Sequence, residues 1–109
     1  MNKSGLSEAE LALIVGALKT FPGIDHAILY GSRAKGTHRP ESDIDIALTG
    51  IDDGVEVQAV AEALEDLPLP YQFDLRPLSG IKHTPLREHI DRVGIPIYTR
   101  TGLSSNRES

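Results

Sequence analysis

The stretch "YGSRAKGTHRPESDIDIAL", residues 30–48, decides how the chain folds. It starts on the last residue of "HAILY" (26–30), a short apolar run that reads as a buried strand and that Gly31 breaks. It finishes in "DIDIAL", where Ile44, Ile46 and Leu48 alternate with Asp43, Asp45 and Ala47. Period-two alternation marks a strand with one face in a core. Residues 36–42, rich in turn formers and holding Pro40, are expected as a loop. An acidic chain thus gathers Arg33, Lys35 and Arg39 directly upstream of a carboxylate pair.

Outward from this stretch the chain alternates helix and strand signals. Ser7 and Glu10 form an S-x-x-E capping box, with Leu6 and Leu11 placed as its hydrophobic staple. Leu11, Ile14, Ala17, Leu18 and Phe21 recur at helical spacing until Pro22-Gly23. Asp53 and Glu56 resemble a second capping box, followed by Val57, Val60, Ala61 and Leu64 along one stripe, and "LPLP" (67–70) stops that helix. "YQFDLR" (71–76) alternates again, Tyr71, Phe73 and Leu75 facing one way and Gln72, Asp74 and Arg76 the other. Thr84-Pro85 is expected to start a last helix with Thr84 as N-cap. Leu86, Ile90 and Val93 form its apolar face and Gly94 its end. "IPIYT" (95–99) reads as an edge strand, the place where Pro96 is tolerated. The order α-β-β-α-β-α-β predicts an α/β (α+β) domain with a mixed four-stranded sheet and three main helices. One domain is expected over residues 1–98, with 99–109 a disordered tail.

Composition narrows the function. The chain has 109 residues, enough for one domain with a modest core. No cysteine is present, which removes disulfides and thiolate metal sites from consideration. The net charge of −5 argues against stable nucleic-acid binding by the chain itself, which draws on a basic face. The apolar pattern near the N-terminus is interrupted by Glu8, Glu10 and Lys19, so it fits neither a secretory h-region nor a membrane span. A cytoplasmic location without membrane association is the expectation.

Two near-miss motifs fail on residue chemistry. "GSRAKGTH" has P-loop glycine spacing, but Thr37 stands where the lysine belongs and His38 where the Mg²⁺-binding hydroxyl belongs. "DIDIALTGIDDG" begins like a calcium loop but carries Ala47, Leu48 and Gly54 at its fifth, sixth and twelfth positions, where an oxygen ligand, a glycine and a glutamate are required. His26, His38, His83 and His89 contain no i,i+4 pair and read as surface or partly buried side chains; Tyr30, Tyr71 and Tyr98 read as core or rim packing.

The carboxylates survive this sifting. On a strand Asp43 and Asp45 project to one side, with Cα atoms roughly 6.5–7 Å apart. At ~5 Å and an effective dielectric of about 20 their repulsion is on the order of 3 kcal/mol. A solvated strand face would gain nothing from such a pair, because aspartate disfavours strands. With Asp74 on the next predicted strand, three acidic side chains suit Mg²⁺, which takes carboxylates, waters and substrate phosphates. Independently, Gly31 followed by Ser32-Arg33-Ala34-Lys35 offers a turn whose N–H groups, hydroxyl and cations suit phosphate.

"GSRAKG" (31–36) followed by "SDIDIAL" (42–48) resembles the nucleotidyltransferase superfamily with the DNA polymerase β type fold. It is most similar to the minimal nucleotidyltransferases, or MNT proteins, which lack a second domain. "LPYQFDLRPL" (69–78) is similar to the family strand that carries a third acidic residue, although Arg76-Pro77 after Asp74 is less typical. The resemblance implies transfer of a nucleoside monophosphate from an NTP, with ATP expected, to an acceptor hydroxyl with release of pyrophosphate. It implies that Asp43 and Asp45 hold two Mg²⁺ ions, for which Mn²⁺ can substitute. Asp74 would bind the catalytic ion and help deprotonate the acceptor, and Gly31, Ser32 and Arg33 would grip phosphate with Lys35 assisting. It also implies a helical HEPN-type partner, whose tyrosine is the expected acceptor in an antitoxin role. The alternatives are a binding-only steric antitoxin and a small-molecule nucleotidyltransferase that needs a helical partner subunit.

Overall fold

The computed structural model describes residues 5–31, 34, 36, 43–51 and 53–100. Helix α1 covers Glu8–Leu18, strand β1 His26–Tyr30 and strand β2 Ile44–Thr49. Helix α2 covers Gly54–Glu65, strand β3 Phe73–Pro77, helix α3 Thr84–Val93 and strand β4 Ile95–Thr99; a 3-10 turn at Leu78–Gly80 follows β3. The strands form one sheet in the order β3-β2-β1-β4. β1 is antiparallel to both β2 and β4, and β2 is parallel to β3. The expected mixed sheet with three helices is therefore the observed one.

Local chemistry sets the helix starts. The Glu10 N–H donates to Ser7 Oγ at 3.1 Å, and the Ser7 N–H donates to Glu10 Oε1 at 2.9 Å, closing the predicted capping box. The same glutamate accepts from the Tyr71 hydroxyl at 3.1 Å, which ties α1 to the approach to β3. Asp53 caps α2 by accepting from the Val55 N–H. α3 departs from expectation by one residue: Thr84 is already helical and His83 is the N-cap, with no side-chain hydrogen bond there. Pro85 in the first turn still pre-sets the helical φ.

The sheet has two unequal faces. On one, Ala27 and Leu29 of β1, Ile44, Ile46 and Leu48 of β2 and Phe73 of β3 pack against Ile14 and Leu18 of α1 and Val57, Val60 and Leu64 of α2. On the other, Ile28, Tyr30 and Ala47 pack against Leu86 and Ile90 of α3 and Leu78 and Ile81 beside it. Ala47 lies on the face of Asp45, as the alternation assigns it, and is fully buried under this second layer. Gly94 makes that layer possible: a Cβ there would strike the Ile90 carbonyl and Ile28 of β1.

β4 is the expected edge, and its register against β1 shifts between Ala27 and Ile28, opposite Tyr98 and Pro96. Thr99 is still in β4, the Arg100 N–H donates to the Asp25 carbonyl at 2.8 Å, and the Arg100 guanidinium pairs with the Asp25 carboxylate at 3.1 Å. Residues 101–109, the rest of the expected tail, lie outside the described residues. Among the described residues no helix is long and apolar enough to cross a membrane.

Candidate active site

The site lies where β1, β2 and β3 run side by side on the α3 face. The parallel register sets Asp45 of β2 opposite Asp74 of β3, and the antiparallel register sets Tyr30 of β1 opposite Asp45. Adjacent strands are roughly 4.8 Å apart, so paired side chains on one face are neighbours. Asp43 precedes β2 and is exposed. The register thus brings Asp45 and Asp74 together, and Asp43 is near enough for its charge to act on Asp45.

Their proximity has an electrostatic signature. Burial pushes the Asp45 carboxyl up to about 6, and the negative charges of Asp74 and Asp43 push the same way, while the Arg76 guanidinium offsets part of the effect. Tyr30 responds to the same environment: burial first, and then the Asp45 carboxylate, raise its hydroxyl to about 12. Arg76, two residues beyond Asp74 on the same side of β3, pairs with Asp74 at 3.5 Å across exposed side chains. It is a built-in counter-cation for the cluster.

Gly31, the first residue of the expected phosphate turn, touches this cluster. Its φ of +80° lies in the left-handed region, and a Cβ on it would strike the Asp45 carboxylate. Only glycine satisfies both conditions at low cost. The Gly31 N–H, expected to face phosphate, donates instead to Nε2 of His89 on α3 at 3.0 Å. The His89 ring meets Tyr30 edge-on, with centroids 6.4 Å apart. Farther along, Ala34 is helical and fully buried. Ser32, Arg33 and Lys35, the other expected phosphate contacts, lie outside the described residues, as does the expected loop over 37–42.

Among the described residues no group of three or more His, Asp or Glu side chains is arranged to hold a metal ion. The donor chemistry nevertheless fits a hard divalent cation: burial first, and then the neighbouring carboxylates, hold the proton affinity of Asp45 high, and such an ion would relieve the repulsion among them. His89, Tyr30 and Arg76 are contributors that sequence reasoning did not assign. His89 and Gly31 are 58 positions apart, and no local spacing joins them. Arg76 carried a signal, its place on the Asp74 face of an alternating strand.

Comparison with known proteins follows the same lines. The family described as polymerase beta nucleotidyltransferase matches residues 13–102. A solved toxin–antitoxin structure with AMP-PNP contains a chain 26% identical to this one, with a TM-score of 0.69, covering 84% of this chain and 74% of that one. A structure described as a minimal nucleotidyltransferase is 26% identical with a TM-score of 0.66, covering 88% of this chain and 96% of that one. A complex of a tri-AMPylated HEPN toxin with its MNT antitoxin from Shewanella oneidensis shares the fold, at 21% identity and a TM-score of 0.58 over 90% of this chain and 77% of that one. No curated protein matches the chain significantly.

Proposed function

The chain belongs to the polymerase β nucleotidyltransferase family, and from that premise we propose that it moves a nucleoside monophosphate, AMP from ATP, onto a tyrosine hydroxyl of a helical HEPN-type partner in the cytoplasm. The carrying observation is the register that sets Asp45 beside Asp74 with Asp43 adjoining, together with the raised proton affinity of Asp45. A similar chain solved in a toxin–antitoxin structure with AMP-PNP supports the choice of nucleotide and of partner.

In this reading Asp43, Asp45 and Asp74 hold Mg²⁺, two ions in all, which when bound neutralise charge on the reacting phosphates. Ser32 and Arg33 grip the β- and γ-phosphates with Lys35 assisting, and Gly31 directly before them is left-handed. The acceptor oxygen forms a bond to the α-phosphorus as the bond from that phosphorus to the bridging oxygen breaks. Pyrophosphate leaves with that electron pair. The acceptor proton passes to Asp74 on β3, two strands from β1 in the sheet. Arg76 holds the Asp74 carboxylate in place and limits charge build-up in the cluster.

The test is to incubate the protein with Mg²⁺, ATP and the helical protein encoded beside it. A mass increase of one or more nucleotidyl groups on a tyrosine of that partner is the expected result. A partner that stays unmodified yet is fully inhibited identifies a binding-only antitoxin. Transfer to an added small-molecule hydroxyl in place of the partner identifies the small-molecule enzyme.

A further inference from the structure

We infer that His89 is a positioning residue for phosphate binding: by accepting the Gly31 N–H it pins the first peptide after β1, where the proposed phosphate turn begins. The inference rests on the proposed nucleotidyl transfer and deepens it.

The geometry is specific. Nε2 lies 3.0 Å from the Gly31 nitrogen, so it carries a lone pair toward the backbone and the ring proton sits on Nδ1. The ring is held from several sides. Its neighbour Ile90 is buried beneath α3, Gly94 lets α3 close onto Ile28 of β1, and Tyr30 meets the ring edge-on. His89 is thus a fixed acceptor presented by a packed helix, and the group it accepts belongs to the residue where β1 ends.

Gly31 needs such an anchor. It leaves the β1 ladder in a left-handed conformation that glycine reaches without help but does not hold without help, since it has the widest backbone freedom of any residue. Gly36, also left-handed, lies five residues on, so the turn begins and ends at permissive positions. One hydrogen bond to the first peptide removes freedom at the base of the turn, and contacts made by later residues then cost less ordering when phosphate binds. A side chain without an acceptor at position 89 would leave a part-buried N–H unpaired and the base of the turn unfixed.

The experiment compares His89→Gln, whose amide oxygen reaches about as far as Nε2, with His89→Leu, which fills similar space without an acceptor. Inorganic tripolyphosphate with Mg²⁺ is the probe, because it carries the phosphate contacts and no base. His89→Leu is expected to weaken its binding about tenfold, and His89→Gln to remain within roughly threefold of wild type. Mn²⁺ binding without phosphate is expected to be equal in all three proteins, since the carboxylates are untouched. Wild-type affinity in His89→Leu overturns the inference, and so does equal weakening in both variants, which would make the residue a packing element.

A nuclear magnetic resonance measurement of the scalar coupling between the Gly31 amide and His89 Nε2 tests the contact without any ligand, and its absence also overturns the inference. Wild-type protein that shows the coupling but binds neither tripolyphosphate nor ATP defeats the proposed function, and the positioning role with it. That outcome differs from one in which wild type binds and His89→Leu binds equally well.

Discussion

β2 presents two different surfaces from one six-residue strand. Ile44, Ile46 and Leu48 are fully buried between the sheet and helices α1 and α2. Asp45, on the opposite face, sits beside Asp74 and Tyr30 with its carboxyl pushed up to about 6. The first surface gains free energy by removing apolar area from water, and each large aliphatic side chain there contributes about 1.5–3 kcal/mol. The second gathers like charges at the rim of a smaller apolar layer, which opposes folding. In the proposed function, stability and chemistry are thus divided between the faces. Substitutions on one should cost the fold and spare the chemistry, and those on the other should do the reverse.

The largest expected effect is on the acidic face. Mg²⁺ with ATP should raise the melting temperature more than either alone, since ligand at a hundredfold excess over Kd adds about 2.7 kcal/mol. Asp45→Asn should abolish that joint shift. Asp74→Asn should keep nucleotide binding while lowering transfer to the partner by orders of magnitude, measured by mass spectrometry of the partner. Transfer at the wild-type rate in Asp74→Asn would move the third carboxylate elsewhere and break the division, with Glu65 and Asp66 the next to substitute.

Next in size is the core face. Ile46→Ala removes a fully buried side chain and should cost about 2–5 kcal/mol in urea denaturation. Under conditions where it is folded, the variant should still show the joint shift with Mg²⁺ and ATP. Loss of that shift in folded protein would mean that the two faces are coupled through the strand.

The smallest effect gives the sharpest sign. Asp45 binds its proton more tightly in the folded chain than at its ordinary value of 3.8, so its ionisation works against folding. That contribution is fully favourable below about pH 4 and is lost as pH rises through about 6. Asp45→Asn, which never ionises, should therefore match wild type near pH 4 and exceed it above pH 7. Because Asp45 is only partly buried, the gain should be about 1 kcal/mol, less than the full shift would give. A variant less stable than wild type at pH 7 would show that the carboxylate supports the fold, against the comparison.

Much of the fold was legible because its signals are local. Ser7 and Glu10 cap α1 across a single turn, and the D-I-D-I-A-L alternation assigns faces within one strand. The start of α3 was misplaced by one residue because Thr84 and His83 both fit the end of an extended segment before Pro85, and no cap bond marks the choice. Alternation placed Ala47 on the face of Asp45 but could not show its burial, which needs α3 packed over it.

The sequence by itself determined which elements form and that Asp43, Asp45 and Asp74 could share a face. Periodicity, capping and turn chemistry act over a few residues and are written in their order. Tertiary structure decided that Asp45 lies opposite Asp74, because a parallel register is fixed by how the crossover through α2 packs and not by either strand alone. It also decided that α3 covers the second face and brings His89 to Gly31. That hydrogen bond joins positions 58 apart, and a contact of that kind exists only once the helix and the strand have packed.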